Sequence, residues 1–331
     1  MNNQFLAFSK IKGLGPKALK EIITYFKAKN ITNIFETDLD MFLSGINLPN
    51  KLKDTIKMNI SNGTFNQFII EADNDLNLCF EKNIKVISYY NENYPKYLKL
   101  LDDAPMFLYC KGNIDLLNNQ NNVAVVGTRN NSDYGKLITQ KTVQFLVENN
   151  YCIVSGLALG IDAIAHESTL EFSGKTISVL VDVDDIAPKT NLKLAQRILD
   201  NGGLLVAENP PKSKIIPALF AKRDRIQTGL SLAVFPIETS LNGGTFHAIN
   251  TGIKYKRIVF APDVKRSGYS DTNIPQLEGI RSIIENNQAF AYTKIDYPKV
   301  LEILGDKKDE LNKVEIISEG SLFWLKLSSL I

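Results

Sequence analysis

The central part of the chain alternates continuous apolar runs with segments of helical length. Residues 123–127 form an apolar run that ends on Gly127, and such runs are typical of strands buried on both faces of a parallel sheet. Further predicted strands cover residues 151–155, 176–181, 204–207, 233–237 and 257–261, and predicted helices cover residues 162–172, 192–201 and 246–255. The alternation predicts an α/β fold with a doubly wound, mostly parallel, Rossmann-like sheet.

A sheet of this kind predicts where a ligand binds. Ligands of doubly wound sheets lie outside the carboxyl ends of the strands, at the point where the strand order reverses. The loops that follow Gly127 and Ser155 and the loop that begins at Glu238 come directly after predicted strands. We therefore expect these three loops to converge on one edge of the sheet.

The 331 residues exceed the usual size of one hydrophobic core, so more than one module is expected. Residues 1–75 have apolar residues at helical spacing and predict a small all-α module, with nine lysines against five acidic residues in positions 1–60. Residues 76–300 combine an extension, including a short strand at 86–89, with the Rossmann-like domain. Residues 301–331 form a short C-terminal tail of open role, in which the charge run 306–310 marks a solvated linker or a helix face.

Composition excludes several classes of protein. The net charge of +2 is too small to indicate a nucleic-acid partner, so any basic surface must be local. The three cysteines, Cys79, Cys110 and Cys152, are widely spaced and odd in number, which argues against a disulfide framework or a zinc site and predicts buried thiols in a reducing compartment. Without a signal peptide or an apolar run near the ~20 residues that span a bilayer, a cytoplasmic protein is expected.

A turn near the N-terminus, residues 11–19, resembles the hairpin of a helix-hairpin-helix motif. Gly13 and Gly15 allow the turn to present backbone N–H groups to a phosphate, and Pro16 suits the first turn of the next helix. An ordinary tight turn between two helices explains the same residues. Gly13, Gly15 and Lys17 are therefore candidates for a secondary phosphate contact.

The loop after the first strand of the sheet, residues 127–135, joins that strand to a helix. Free backbone N–H groups and the helix dipole favour an anion there, and Arg129 adds a bidentate phosphate donor. Ser132 or Asn131 is the expected N-cap, although any strand-to-helix turn has a glycine and a cap. The spacing Gly-x-Gly-x-x-Gly is missing, which disfavours a nicotinamide or flavin cofactor.

The loop after the second strand carries Gly156 and Gly160, which allow the backbone to approach a ligand or a neighbouring strand closely. His166 lies four residues after Asp162, on the same face of a predicted helix. We expect a His166–Asp162 contact that stabilises the helix, in preference to acid–base chemistry at His166.

Two further segments are candidates for phosphate contact. Five basic residues lie within fourteen positions, and phosphate contact is favoured over a solvated face because the cluster precedes a strand and is not predicted to lie on a surface helix. These residues are Lys212, Lys214, Lys222, Arg223 and Arg225. After the strand at 233–237, an anion-binding nest is predicted at Asn242, Gly243, Gly244 and Thr245, where turn formation alone also explains the glycines.

Five separated motifs, in this order, resemble the DNA-processing protein A (Smf) family over about residues 80–265. They are Tyr94-Pro95 with Asp103-Ala104-Pro105, Val125-Val126-Gly127-Thr128-Arg129, Ser155-Gly156-Leu157-Ala158 with Gly160-Ile161-Asp162, Arg223-Asp224-Arg225-Ile226 with Gly229-Leu230-Ser231, and Glu238 with Phe260-Ala261-Pro262. The resemblance implies non-catalytic binding of single-stranded DNA, commonly as a homodimer, and loading of the RecA recombinase during natural transformation. The residues that it assigns to the DNA pocket are Gly127, Thr128, Arg129, Ser155, Gly156, Arg225 and the loop at Gly243 and Gly244.

Three departures from the family pattern bear on the site. Where the family usually has Arg-Asn-Arg, this chain has Arg223-Asp224-Arg225, and the extra carboxylate is expected to weaken phosphate affinity or to pair with a neighbouring arginine. Where it usually has Ser-Gly-Ser/Thr, residues 242–245 are closer to the Gly-Gly-Thr loop of related nucleotide-binding and nucleotide-hydrolysing proteins. The winged-helix tail of some members is not recognisable.

The residues and the resemblance together predict a module that binds single-stranded DNA without sequence specificity and needs no metal or cofactor. The predicted DNA-binding residues then also include Lys222, Arg223, Asn242 and Thr245. The alternative is an enzyme or sensor of small nucleotides, with the Gly243-Gly244 loop on a phosphate and Glu238 polarising a ribose bond or hydroxyl. Against it, Glu238 also fits a structural acceptor, and no paired carboxylates, metal-ligand cluster or Ser-His-Asp arrangement supports catalysis.

Overall fold

A sheet runs through the middle of the protein. The computed structural model describes residues 3–269 and 274–313, together with the backbone of residues 316–319 and 322–325. Within these residues the main sheet has nine strands. They are β1 (Lys85–Ser88), β2 (Phe107–Gly112), β3 (Asn122–Val126), β4 (Cys152–Ser155), β5 (Thr176–Leu180), β6 (Leu204–Ala207), β7 (Ala233–Pro236), β8 (Ile258–Pro262) and β9 (Phe290–Tyr292).

The strand order, β1-β2-β6-β5-β4-β3-β7-β8-β9, confirms the predicted doubly wound α/β fold. All neighbours from β6 to β9 are parallel, whereas β2 is antiparallel to both β1 and β6. β3 has β4 on one side and β7 on the other, so the strand order reverses between β3 and β7. The predicted strand limits differ from the observed ones by one residue at most.

Burial explains why continuous apolar sequences form the inner strands. Every side chain of β3, β4, β5, β6 and β7 is buried. Complete burial of a valine or isoleucine side chain stabilises a fold by about 1.5–3 kcal/mol. A polar side chain in the same position needs a partner, and the amide Nδ2 of Asn122 in β3 accordingly donates to the carbonyl of Leu116 (2.9 Å).

Helices precede the sheet and connect its strands. The N-terminal region contains α1 (Asn3–Lys10), α2 (Pro16–Ala28), α3 (Leu39–Gly45), α4 (Asn50–Ser61) and α5 (Thr64–Glu81). The later helices are α6 (Asp133–Glu148), α7 (Ile161–Glu171), α8 (Leu192–Asp200), α9 (Pro217–Gly229), α10 (Phe246–Lys254), α11 (Glu278–Glu285) and α12 (Tyr297–Asn312). Short 3-10 turns complete the connections.

Helix α9 corrects one prediction from the sequence. Lys222, Arg223 and Arg225 precede β7 as predicted, but they lie on a helix, which was not predicted there. The C-terminal half of α9 is buried from Arg225 to Gly229, including the polar Gln227 and Thr228. A helix buried in this way lacks the single apolar face by which a surface helix is recognised, so its sequence does not show helical periodicity.

The N-terminal helices confirm the predicted helical region and share a core with the sheet. Phe8, Phe26 and Phe42 pack ring against ring, with Phe26 and Phe42 meeting edge to face at 5.5 Å between centroids. Buried residues of these helices form one hydrophobic cluster with those of β1, β2 and β6. The predicted domain limits, between residues 75 and 76 and between residues 300 and 301, fall inside α5 and α12.

The charge run 306–310 lies on α12, so the helix-face alternative for this segment is the observed one. Beyond α12, β10 (Ile316–Glu319) pairs antiparallel with β11 (Leu322–Leu325), and the rest of the predicted tail lies outside the described residues. All three cysteines are buried, as predicted, and burial raises the pKa of Cys79 to about 12. No helix in the described part of the chain is long and apolar enough to cross a membrane.

Candidate nucleic-acid interface

A cavity of about 380 Å³ opens at the carboxyl ends of β3 and β7, where the strand order reverses. Its walls come from the loops after β3 and β7, the first turn of α7 and one face of α9. The predicted loops therefore do converge. Seven predicted site residues line the cavity: Gly127, Thr128, Arg129, Arg223, Gly243, Gly244 and Thr245. The prediction did not include five other lining residues: Asp162, Phe220, Asp224, Gln227 and His247.

Backbone hydrogen bonds hold the three loops together. Thr128 N donates to Glu238 O (2.8 Å), and Ile161 N donates to Thr128 O (3.1 Å). Gly160 has φ +76°, and a Cβ there would collide with the carbonyl of Thr128. The glycine is therefore required by close approach of two loops.

The N-terminus of α6 already binds an anionic group of the protein itself, the carboxylate of Glu238. Ser132 caps the helix as predicted, because its Oγ accepts from Gly135 N (3.0 Å). Ser132 N donates to Glu238 Oε2 (2.9 Å), and the Ser132 hydroxyl donates to Glu238 Oε1. Burial raises the pKa of Glu238, and the hydrogen bonds from Ser132 act in the opposite direction.

This geometry corrects the expectation that α6 offers free N–H groups to a ligand. Both carboxylate oxygens of Glu238 accept hydrogen bonds from Ser132, which makes Glu238 a structural acceptor. Gly135 is needed for the same contact, because a Cβ at this position would collide with the Glu238 carboxylate. At the N-terminus of α6 the site is therefore occupied by the side chain of Glu238, which follows β7.

Arg129 is the exposed cation of the cavity. Its guanidinium carbon lies 5.6 Å from the centroid of the Phe220 ring on α9. Within the described part of the chain, no carboxylate forms an ion pair with Arg129. A guanidinium held over an aromatic face keeps its N–H groups free for a planar or phosphate acceptor.

The turn at residues 243–245 lines the same cavity as Arg129 and leads into α10. Thr245 is the N-cap of α10 but makes no side-chain capping hydrogen bond. A Cβ at Gly244 would meet no atom within 4 Å, so the backbone there is open. The N–H groups of Phe246, His247 and Ala248 donate to the carbonyls of residues 243–245, so among the described residues the donors that this turn leaves for an anion are those of Gly244 and Thr245.

Arg223 is buried at the base of the cavity and is already neutralised. Its Nη1 lies 2.7 Å from Asp224 Oδ1, and its Nη2 lies 3.6 Å from Asp162 Oδ2 and donates to Gly156 O (3.0 Å). Burial raises the pKa of Asp224 to about 6, against the opposing effect of Arg223. Asp224, which stands where the family usually has asparagine, therefore pairs with the neighbouring Arg223. This pairing is one of the two outcomes expected from the sequence.

Arg225 does not share the cavity with Arg129, contrary to expectation. It is buried and paired with Glu208 (2.9 Å) and with Asp103 (2.9 Å). Lys222 also pairs with Glu208, at 3.1 Å. Residues two positions apart on a helix do not face the same side, so α9 directs Arg223 and Arg225 to different surroundings.

The remaining predicted residues of this site lie beside the cavity. Ser155 is buried and its Oγ donates to Val125 O (2.7 Å). Gly156 gives room to the Arg223 guanidinium, with which a Cβ would collide. Asn242 is exposed and does not line the cavity.

The predicted His166–Asp162 contact is wrong. His166 Nδ1 is hydrogen-bonded to Thr176 Oγ1 (2.7 Å), and burial lowers the pKa of His166 to about 3, so the ring is neutral. Asp162, in the first turn of α7, faces Arg223 instead. The four-residue spacing places both side chains on one face of α7. His166 nevertheless bonds to Thr176 on β5, and Asp162 lies close to the buried Arg223.

The N-terminal hairpin lines a separate groove. The groove has a volume of about 620 Å³, and it is lined by Gly13, Gly15 and Lys17 together with residues 47–49 and Leu52. Gly13 has a left-handed backbone conformation, with φ +94°. Asp103, which pairs with Arg225, also lines this groove. Among the described residues, no group of three or more His, Cys, Asp or Glu side chains is arranged to hold a metal ion.

Comparison with known proteins gives consistent matches. Residues 85–302 match the family model described as DNA recombination-mediator protein A. The DNA processing protein DprA of Bacillus subtilis is 31% identical over 228 residues, which are 69% of this chain and 76% of that protein. Protein Smf of Synechocystis is 32% identical over 295 residues, which are 87% of this chain and 71% of that protein.

Two solved structures share the fold. DNA processing protein A of Streptococcus pneumoniae superposes with a TM-score of 0.72 and 28% identity, over 91% of this chain and 98% of that one. DNA processing protein A of Helicobacter pylori superposes with a TM-score of 0.58 and 30% identity, over 66% of this chain and 96% of that one. The second structure is described as showing a single-stranded DNA binding mode of the H. pylori protein.

Proposed function

Because the chain belongs to the DNA recombination-mediator protein A family, which includes the DNA-processing proteins DprA and Smf, we propose that it binds single-stranded DNA in the cavity between β3 and β7. The observation that carries the proposal is the guanidinium of Arg129, which has no carboxylate partner among the described residues, lies over Phe220 and lines the same cavity as the turn at 243–245. The description of the H. pylori relative as a single-stranded DNA binder supports the same ligand.

The chemistry of the cavity suits a phosphate and an unstacked base. Arg129 donates to phosphate oxygens, and the N–H groups of Gly244 and Thr245, which have no acceptor among the described residues, add donors in the turn before α10. Phe220 offers an aromatic face on which a base stacks, and stacking of this kind is tolerant of base identity. Binding is therefore expected to depend little on sequence.

The proposed contact residues are those that line the cavity: Gly127, Thr128, Arg129, Phe220, Gly243, Gly244 and Thr245. Arg223 has a supporting role and not a contact role, since Asp162 and Asp224 neutralise its positive charge. Ser155, Gly156, Lys222 and Arg225 hold the loops and α9 in position. Gly13, Gly15 and Lys17 are proposed as a secondary DNA contact at the separate N-terminal groove.

We also propose that the protein acts as a homodimer that helps to load a RecA-type recombinase, in transformation or recombination. Family membership supports this step, and a cytoplasmic location accords with it. The measurement is assembly of RecA filaments on coated single-stranded DNA with and without the protein. Unchanged assembly in a protein that binds DNA would limit its role to binding.

The rival function, an enzyme acting on small nucleotides, would need Glu238 to reach a substrate. Both oxygens of this carboxylate hold Ser132 instead. Parallel assays separate the two functions: anisotropy titration with oligo-dT and with duplex of equal length, and hydrolysis of nucleoside monophosphates. We expect preference for the single strand and no hydrolysis; equal affinity for duplex would contradict the proposed site.

A further inference from the structure

Three lysines, Lys20, Lys27 and Lys99, lie over three tyrosine rings where α2 packs against the segment that follows β1, and a fourth, Lys96, lies near Lys99. Lys27 Nζ lies 3.8 Å from the centroid of the Tyr90 ring, and Lys99 Nζ lies 5.5 Å from that of Tyr89. Contacts of this length hold an ammonium group against the face of the ring. We call this surface the lysine–tyrosine patch; it consists of Lys20, Lys27, Lys96, Lys99, Tyr89, Tyr90 and Tyr94.

Three of the four lysines of the patch, Lys27, Lys96 and Lys99, have no carboxylate partner in the described part of the chain. Glu21, on the same helix as Lys27, accepts instead from the backbone N–H of Asn47 (2.9 Å). Lys99 is half-buried, and burial together with the neighbouring lysines lowers its pKa.

The repulsion within such a cluster costs free energy that a bound anion offsets. Like charges that are close together repel, and partial removal from water adds to the cost. Lysines that serve only as solubilising surface extend into water, whereas Lys99 is held between Tyr89 and Tyr94. The arrangement therefore matches a preformed site for a polyanion.

The patch lies along the same edge of the sheet as the cavity. β1 runs in the direction of the parallel strands, because β2 is antiparallel to both β1 and β6. The segment that begins at Tyr89 therefore starts at the carboxyl edge, on which the cavity also opens. Five strand spacings separate β1 from β3 in the sheet, a distance of about 24 Å at ~4.8 Å per spacing.

We propose that the lysine–tyrosine patch binds the phosphate backbone of the same DNA strand that enters the cavity. The inference rests on the proposed function and deepens it, because it gives the bound strand a path over the protein surface. This path runs from the cavity between β3 and β7 towards the N-terminal helices. Tyr89 and Tyr94 are buried, and Lys27 covers the ring of the half-buried Tyr90, so the contact is to phosphates and carries no base preference.

The test compares oligo-dT of two lengths: about 3 nucleotides, too short to join the cavity to the patch, and about 25 nucleotides, enough for both contacts. The variants are Lys27→Gln/Lys99→Gln, Arg129→Ala, and Lys29→Gln as a matched control, since Lys29 is an exposed lysine at the end of the same helix. Fluorescence anisotropy is measured over a range of salt concentrations.

The double variant should bind the long oligonucleotide about tenfold more weakly, with a salt slope smaller by about 1.4, or ~0.7 for each of two phosphates. Its affinity for the short oligonucleotide should equal that of the wild type. Arg129→Ala should weaken both lengths, and Lys29→Gln should change neither.

Each other outcome has a definite meaning. A wild-type protein that binds neither length overturns the proposed function. A wild type that binds, with an unchanged long-oligonucleotide affinity in the double variant, overturns the patch alone, and so does an equal loss on both lengths. If the double variant fails to fold, Lys27→Gln replaces it, because Lys27 is exposed; a slope smaller by about 0.7 is then expected.

Discussion

Arg129, Arg223 and Arg225 carry the same side chain but have different surroundings. Arg223 and Arg225 are buried with carboxylates, whereas Arg129 is exposed above Phe220. A buried guanidinium whose partners are fixed has little charge left for a ligand, and its removal leaves those partners unpaired. Substitution of Arg129 should therefore affect DNA binding, whereas substitution of Arg223 or Arg225 should affect the stability of the fold.

Substitution of Arg129 and of Arg225 by alanine tests this separation. Arg129→Ala should reduce the affinity for oligo-dT several-fold and the salt slope by about 0.7, with an unchanged melting temperature. Arg225→Ala should lower the free energy of unfolding by about 2 kcal/mol, because Glu208 and Asp103 lose their partner. Titration and thermal unfolding of both variants measure the two effects; the reverse pattern would place Arg225 in the binding site.

Asp224 makes binding depend on pH. Its carboxyl group lines the cavity, and burial raises its pKa to about 6, so at pH 7.5 it is mostly ionised and repels phosphate. Affinity for oligo-dT should rise as pH falls from about 7.5 to about 5.5, when the carboxylate takes up a proton. Asp224→Asn should raise the affinity about fivefold at pH 7.5, the effect of roughly 1 kcal/mol of charge repulsion, and should flatten the profile.

His247 provides the control for this profile, because its side chain also lines the cavity. A His247→Gln variant that keeps the pH response assigns it to Asp224. A flat profile in His247→Gln, with the response retained in Asp224→Asn, would assign it to the histidine instead.

At the scale of elements, the start of α6 joins two loops of the site through one serine. Ser132 caps α6 and also binds Glu238, which follows β7. Ser132→Ala removes the cap and one of the two hydrogen bonds to Glu238, so the free energy of unfolding should fall by about 1–2 kcal/mol. Chemical denaturation measures the change. Ser132→Thr keeps the hydroxyl and should lose less; an equal loss would mean that steric fit and not capping controls this turn.

Which elements were predictable follows from where their side chains lie. β3 to β7 were predicted to within a residue, because strands buried on both faces have uninterrupted apolar sequences. α9 was missed, since its buried half contains the polar residues Arg225 and Thr228, which bond to Asp103 O and Ala248 O outside the helix.

The site shows the same division between local and long-range information. Loops that follow strands must share one edge, so the convergence on Gly127 and Gly243 could be inferred from the order of elements. The pairing of Arg225 with Glu208 and Asp103, and of His166 with Thr176, depends on side-chain directions that sequence spacing does not specify.

At the scale of the whole molecule, the N-terminal helices are both a separate layer and a part of the shared core. Phe8 and Phe65 belong to the same hydrophobic cluster as Leu108 and Val206 of the sheet. Lys10 of α1 also pairs with Asp75 of α5 at 2.6 Å, within the helical layer. We propose that this layer is a domain whose limit lies at the end of α5 and not at residue 75, since α5 continues to Glu81.

A chain that begins at residue 82 tests this organisation, because it removes α1 to α5 whole and keeps β1. We expect it to fold, with a lower melting temperature than the full chain, since part of the shared core becomes exposed. The cavity between β3 and β7 remains complete, so binding of a short oligo-dT should stay near the wild-type value, whereas a long one should bind more weakly without Lys20 and Lys27. Circular dichroism and anisotropy measure both. A folded fragment that no longer binds the short oligonucleotide would move the primary contact to the hairpin at Gly13 and Gly15.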